Sequence, residues 1–224
     1  MTNTVVVVGA GPGLGLALAR RFGAEGHPVG LIARDGARLE SDAATLRAAG
    51  IRATACPADV RDEAGLRAAL DTAGPVGVLI WAIGPGSAPI TPAGEVTSER
   101  AFAQVALHVG GAVTAVGHVL PGMLARGAGT VLITTGASSV VPVPVLGDVG
   151  IAMAGLRNWA LGLRAAVAGR GVHVATVTIA TLLAAGHPVG DPDAVASRFL
   201  ALARAPERAE EVVGDLDEVR RLVG

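Results

Sequence analysis

VVVVGAGPGLGLALARRF, residues 5 to 22, is the stretch on which the fold turns. Four consecutive valines are β-branched and apolar throughout, the pattern of a strand buried on both faces. Gly9, Gly11, Gly13 and Gly15 follow, with Leu14 among them, and then Ala17, Leu18 and Phe22 recur at helical spacing. Glycines between a strand and a helix allow a tight turn and let the backbone come close to a pyrophosphate. The positive end of the helix then holds that group. A tight βα turn with no ligand would use the same glycines, so the rest of the chain has to decide.

Outward from this turn, short β-branched runs alternate with Ala/Leu/Arg segments. Strands are expected at 4–8, 29–33, 52–56, 76–82, 130–135 and 172–179, and helices near 13–25, 36–49, 61–73, 97–126, 147–169 and 192–204. EEVVGDL at 210–216 offers a weak edge strand. Strands apolar nearly throughout, each followed by a helix, imply a parallel sheet covered on both faces. Right-handed crossovers make a doubly wound, Rossmann-like α/β sheet the simplest topology. No composition break divides the 224 residues, which read as a single dinucleotide-binding domain, 1–224.

Charge and cysteine content narrow the partners. The net charge is −1 with the basic residues scattered, which argues against nucleic acid and against an acidic membrane surface. The one cysteine, Cys56, has no internal partner, and MTNTVVVVGAG lacks the basic start and cleavage site of a secretory signal. A cytoplasmic protein is expected. Residues 101–125 are long and apolar enough to span a bilayer, but they carry Gln104, His108, Thr114, His118 and Pro121. Burial between a sheet and a second subunit suits such a helix better.

The second strand ends LIARDGARL. An acidic residue at that strand end would hold a ribose 2'-hydroxyl, whereas Arg34 suits a 2'-phosphate and favours NADP(H) over NAD(H). Asp35 follows at once, and Arg34 could equally be a solvated surface residue. After the third strand, Asp59 of PADVRD could accept from an adenine amino group, or cap a helix starting near Arg61.

With these residues in place, the chain resembles a short-chain dehydrogenase/reductase over nearly its whole length. Gly9, Gly13 and Gly15 match the family's G-x-x-x-G-x-G, and Asp59 with Val60 its adenine-side motif. VLPGML (119–124), GTVLITTGASS (129–139) and RGVHVATVTIA (170–180) match its fourth-to-fifth-strand helix and its fifth and sixth strands. The resemblance implies a seven-stranded parallel sheet, a nucleotide held partly by Ala82 and Gly84, and a homodimer or homotetramer built on the helices near 97–126 and 147–169.

The departures fall on the chemistry. Asn-Asn-Ala-Gly of the family becomes Trp81-Ala82-Ile83-Gly84, and the Asn of the following helix falls on His108. The catalytic Ser falls near Gly136 to Ser138, leaving Ser138 as the nearest hydroxyl and Thr135 as the second. The Pro-Gly after the sixth strand falls on Ala180-Thr181. The Tyr and Lys of Tyr-x-x-x-Lys fall on Val149 and Met153, and the chain contains no Tyr and no Lys at all. No shift of register restores the pair. A phenol of pKa about 10 needs a neighbouring cation to act near neutral pH, and neither residue is present.

Three side chains remain as catalytic candidates. His108 titrates nearest neutrality and is the first candidate for proton transfer, with a buried structural histidine as the alternative. Asp148 either caps its helix or faces a substrate. Ser138 could polarise a carbonyl or merely satisfy backbone groups. Trp81, Val149, Met153 and Thr181 are expected to wall the substrate pocket, and no metal is expected. Arg157, one turn beyond Met153, reads either as an anion ligand or as a surface or interface arginine. The readings carried forward are a reductase of a small organic molecule whose proton does not come from Tyr, a redox-neutral cyclase, dehydratase or isomerase on the same scaffold, and a non-catalytic nucleotide-binding subunit.

Overall fold

A computed structural model describes residues 3–84 and 89–224. The elements run β1 (Thr4–Val8), α1 (Leu14–Gly23), β2 (Val29–Ile32), α2 (Gly36–Ala48), β3 (Ala53–Ala55), α3 (Glu63–Ala73) and β4 (Val76–Trp81). Then follow α4 (Ser98–Val105), α5 (Gly111–Ala125), β5 (Gly129–Gly136), α6 (Gly147–Ala166), β6 (Val172–Ala180), α7 (Pro192–Ala203), β7 (Glu210–Gly214) and α8 (Leu216–Val223). The seven strands form one parallel sheet in the order β3-β2-β1-β4-β5-β6-β7.

The valine run explains the sheet. All four side chains of Val5–Val8 are fully buried, and period-2 alternation sends them to opposite faces. Val6 and Val8 join a core with residues of α3, α5 and α6, while Val5 and Val7 join one with residues of α1, α2 and α7. Val8 pairs with Ile32 on one side and Trp81 on the other, so β1 is central. The strand order reverses between β1 and β4, and ligands of open α/β sheets bind at such a switch point, beyond the carboxyl ends of the strands.

The long helix expected over 97–126 is interrupted. Residues Ala106–Gly110 form a π-helical turn between α4 and α5, and Pro121 lies inside α5. The stretch Ser98–Ala125 is long and apolar enough to cross a membrane, with a mean hydropathy of 1.3. Here it packs on α3 and α6, and Gln104, His108, Ala112, Ala115, Val119 and Met123 of its inner face are buried.

β7 is fastened by Arg157 of α6. Its guanidinium donates two bonds of 2.7 Å to the Glu210 carboxylate, which also accepts from Thr176 Oγ1. Arg157 therefore has a structural partner rather than a ligand. From β7 the chain turns through Gly214, at φ 104°, where a Cβ would lie 2.3 Å from the Ala180 carbonyl oxygen. This close crossing brings α8 back over the end of β6.

Candidate active-site cleft

The glycine turn is built for close approach. Gly9 sits at φ 93°, and a Cβ there would lie 2.5 Å from the Ala82 carbonyl oxygen; a Cβ on Gly15 would lie 2.6 Å from the Gly9 oxygen. Those two glycines let β1, β4 and α1 converge. At Gly13 a Cβ would meet nothing within 4 Å, and at Gly11 only the Gly9 oxygen at 3.9 Å. Their open sides face the cleft. α2, α3, α4, α7 and α8 each start on a capping Asp or Thr side chain, but α1 starts on Gly13 with no side-chain cap. The positive end of α1 is thus free for an anion. These residues fit the diphosphate of a dinucleotide.

Two adjoining cavities share Gly9, Gly11, Ala82, Ile83 and Gly84. The smaller, about 500 Å³, is lined among others by Arg34, Arg38, Asp59, Val60 and Arg61. Asp35 is occupied as the cap of α2, accepting from Arg38 N at 3.0 Å. Arg34 is exposed and has no hydrogen-bond or ion-pair partner among the described residues. Arg38 joins it, held by the Ala10 carbonyl (2.9 Å) and Asp42 (2.6 Å). The cap reading of Asp59 is corrected, because α3 begins at Glu63 on Asp62. Asp59 is instead gripped by Arg61, whose Nη2 lies 2.6 Å away, and this bond holds its carboxyl down at about 2.

The larger cavity, about 880 Å³, runs from the glycine turn, lined by Gly9, Gly11, Gly13, Leu14 and Gly15, across the ends of β4, β5 and β6 to α6 and α8. Val149, Met153 and Thr181 line it as expected, and so does Ser138. Thr135 lines it too, but its hydroxyl is engaged with Thr178 (3.0 Å) and Ser139 (3.3 Å). Ile90, Val143, Leu146, Ile179, Leu182 and Leu183 supply further apolar wall.

Three expectations are corrected. Trp81 does not wall this cavity. Period-2 alternation turns it, with Leu79, to the face of the sheet under α5, where it is fully buried against Gly111. His108 lines neither cavity. It lies in the π-helical turn with its ring fully buried and both ring nitrogens without a partner among the described residues. Burial pushes its pKa down to about 4, so at neutral pH it holds no proton to donate as an acid. Asp148 lies outside the cleft as well. It is fully buried in the first turn of α6, accepting from Val149 N (2.8 Å) and from Thr91 N (3.0 Å) of the preceding loop. These bonds hold its carboxyl below the usual range against the opposing effect of burial.

Other cleft residues were not anticipated. Thr134 lines the cleft, although its Oγ1 is itself buried and without a partner among the described residues. Glu218, Val219 and Leu222 of α8 close its far side. The signal for α8 lies in DLDEVRRLV: Asp215 and Glu218 stand at capping-box spacing, and Asp215 accepts from the backbone of Asp217 (2.7 Å) and Glu218 (3.2 Å).

A glycine turn at the switch point of a doubly wound parallel sheet defines a Rossmann-like α/β fold. Residues 3–186 match the family model described as short chain dehydrogenase, and the chain belongs to that family. A short-chain dehydrogenase of Rhodopseudomonas palustris superposes with a TM-score of 0.84 at 27% identity, covering 95% of this chain and 98% of the other. An NADPH-bound short-chain oxidoreductase of Pseudomonas aeruginosa PAO1 containing an atypical catalytic center superposes with a TM-score of 0.84 at 24% identity, over 94% and 95% of the two chains. The glycine betaine reductase ATRR of Emericella nidulans is 30% identical over an alignment that covers 92% of this chain but only 18% of that protein.

Proposed function

We propose that this chain is an NADP(H)-dependent reductase of a small, largely apolar organic molecule, acting on an acceptor that needs no proton from a tyrosine. One observation carries the reading. The cleft joins the glycine turn, with Arg34 and Arg38 lining its smaller cavity, to a chamber lined by Val149 and Met153, the residues onto which the sequence resemblance maps the family's Tyr and Lys.

Gly11, Gly13 and the first turn of α1 hold the diphosphate. Arg34 and Arg38 hold a 2'-phosphate, which selects NADP(H) over NAD(H), and Asp59 and Val60 border the adenine. The bound cofactor supplies a hydride. Val149, Met153, Ile179 and Leu183 exclude water from the reacting carbon, and the hydroxyls of Ser138 and Thr181 orient a polar atom of the acceptor. With His108 outside the cleft, an iminium suits this wall best because it takes up hydride alone to give a neutral amine, whereas a conjugated alkene gives an enolate that takes its proton from water. The NADPH-bound oxidoreductase of Pseudomonas aeruginosa shares this fold and contains an atypical catalytic center.

A second reading is a redox-neutral cyclase, dehydratase or isomerase that uses the largely apolar cavity for shape. Exposed Phe102, Val113 and Ile151 on α4, α5 and α6 support a homodimer or homotetramer through those helices, in the reducing cytoplasm that lone, buried Cys56 suits. No membrane or nucleic-acid partner belongs to this reading. Calorimetric titration tests the cofactor assignment. NADPH should bind at least about tenfold tighter than NADH; equal affinities would remove the 2'-phosphate role of Arg34 and Arg38, and binding of neither would remove the reductase.

A further inference from the structure

We infer that Glu218 makes the cleft selective for ligands that carry a positive charge, such as an ammonium or iminium group, and that α8 is the element that imposes this selectivity. The inference rests on the cleft being the substrate site. Glu218 is the only side chain with an ionisable group among the described residues that line the 880 Å³ cavity. The other polar side chains there are the neutral hydroxyls of Thr134, Thr135, Ser138 and Thr181, and the remaining wall is glycine and aliphatic. A lone carboxylate beside an apolar wall of low polarisability sets the sign of the local potential.

Among the described residues no basic side chain lines that cavity. The two arginines on the same helix are committed elsewhere, Arg220 to Asp217 and Arg221 to Asp215 at 3.9 Å. On α1, Arg20 pairs with Asp193 and Arg21 with Glu25. Glu218 itself has no ion-pair partner among the described residues. Its place at the cleft follows from the backbone: Gly214 passes against Ala180 and Thr181, and the helix that starts on Asp215 then turns Glu218, Val219 and Leu222 to the cavity. Val219 and Leu222 would flank the apolar body of a ligand whose cation meets Glu218. A carboxylate or phosphate ester in the same position would be repelled.

The test uses three soluble probes with one skeleton, 4-phenylbutylamine, 4-phenylbutanol and 4-phenylbutyrate, titrated calorimetrically into the full chain at about 0.1 M salt. Wild type should bind the amine about fivefold tighter than the alcohol and the alcohol tighter than the acid, the scale of a partly exposed ion pair. Glu218→Gln should abolish the preference for the amine and leave the alcohol unchanged. Asp217→Asn, on the same helix but paired with Arg220, should change neither. An amine that binds no better than the alcohol in wild type, or one weakened equally by Asp217→Asn, overturns the inference. NADPH affinity measured on the same samples separates the two claims: charge selectivity lost with NADPH binding intact overturns only the role of Glu218, while absence of NADPH binding overturns the proposed function.

Discussion

Gly9 and Gly11 stand two residues apart in the same turn, yet alanine at each should fail in opposite ways. Gly9→Ala forces a side chain into φ 93° and places its methyl 2.5 Å from the Ala82 oxygen and 2.7 Å from the Ala82 carbonyl carbon, both backbone atoms that cannot step aside. The left-handed backbone costs about 1–2 kcal/mol and the overlap another 1–3. A loss near 3 kcal/mol lowers Tm by about 6–12 °C in a chain of this size. Gly11→Ala adds the same methyl at negative φ with its nearest neighbour at 3.9 Å, so the fold should melt within about 2 °C of wild type. Its methyl instead occupies the space shared by the two cavities. Loss of one charge-assisted backbone hydrogen bond to a phosphate, about 1.5–3 kcal/mol, weakens NADPH by about 10- to 150-fold. Thermal melting and calorimetry on both variants give the four numbers. Wild-type NADPH affinity in Gly11→Ala, or a wild-type Tm in Gly9→Ala, would refute the account of the turn.

Arg34→Ala and Arg38→Ala should each weaken NADPH about tenfold while leaving NADH unchanged, read by calorimetry. His108 should make stability fall with acid. Below its ordinary 6.5 the unfolded chain takes up a proton that the folded chain refuses until about 4, so about 3 kcal/mol is lost as pH drops through that window. His108→Leu should flatten this slope in urea unfolding at pH 4 to 7; an unchanged slope would mean that the imidazole reaches water. Asp148→Ala strands the buried N–H groups of Thr91 and Val149 and should cost about 3 kcal/mol in melting while retaining NADPH binding. A variant that melts normally but loses turnover would return Asp148 to the chemistry. Arg157→Ala, which releases Glu210 and with it β7, should cost about 1–2 kcal/mol in the same assay.

The sheet and the glycine turn were legible because their signals are local. A fully apolar strand, a glycine turn and an arginine at the end of β2 lie within a few residues of the atoms they position. The same locality fails for Trp81. A strand end predicts where its backbone stops, but which face the indole takes depends on Gly111, thirty residues on, leaving room beneath α5. His108 was misplaced for a related reason, since a uniform helix over 97–126 hides a π-helical turn that no spacing in the sequence marks. Asp148 was placed one step off: it lies inside the first turn of α6, which starts on Leu146 without a side-chain cap, and only the fold brings Thr91 against it. α8 was missed because a short charged tail looks solvated, although its capping box and the apolar Leu216, Val219 and Leu222 were there to read.

Hydride transfer without a side-chain acid is the central claim, and a single-turnover experiment tests it most directly. The protein is mixed with NADPH deuterated at the transferring position and with N-methyl-3,4-dihydroisoquinolinium, cyclohexenone or cyclohexanone, and the products are analysed by mass from pH 6 to 8. The account predicts deuterium in the iminium or enone product, at a rate that does not vary across this range because hydride transfer waits on no side-chain acid. Deuterium in none of the products, or transfer only to cyclohexanone with a rate that falls as pH rises, would contradict it.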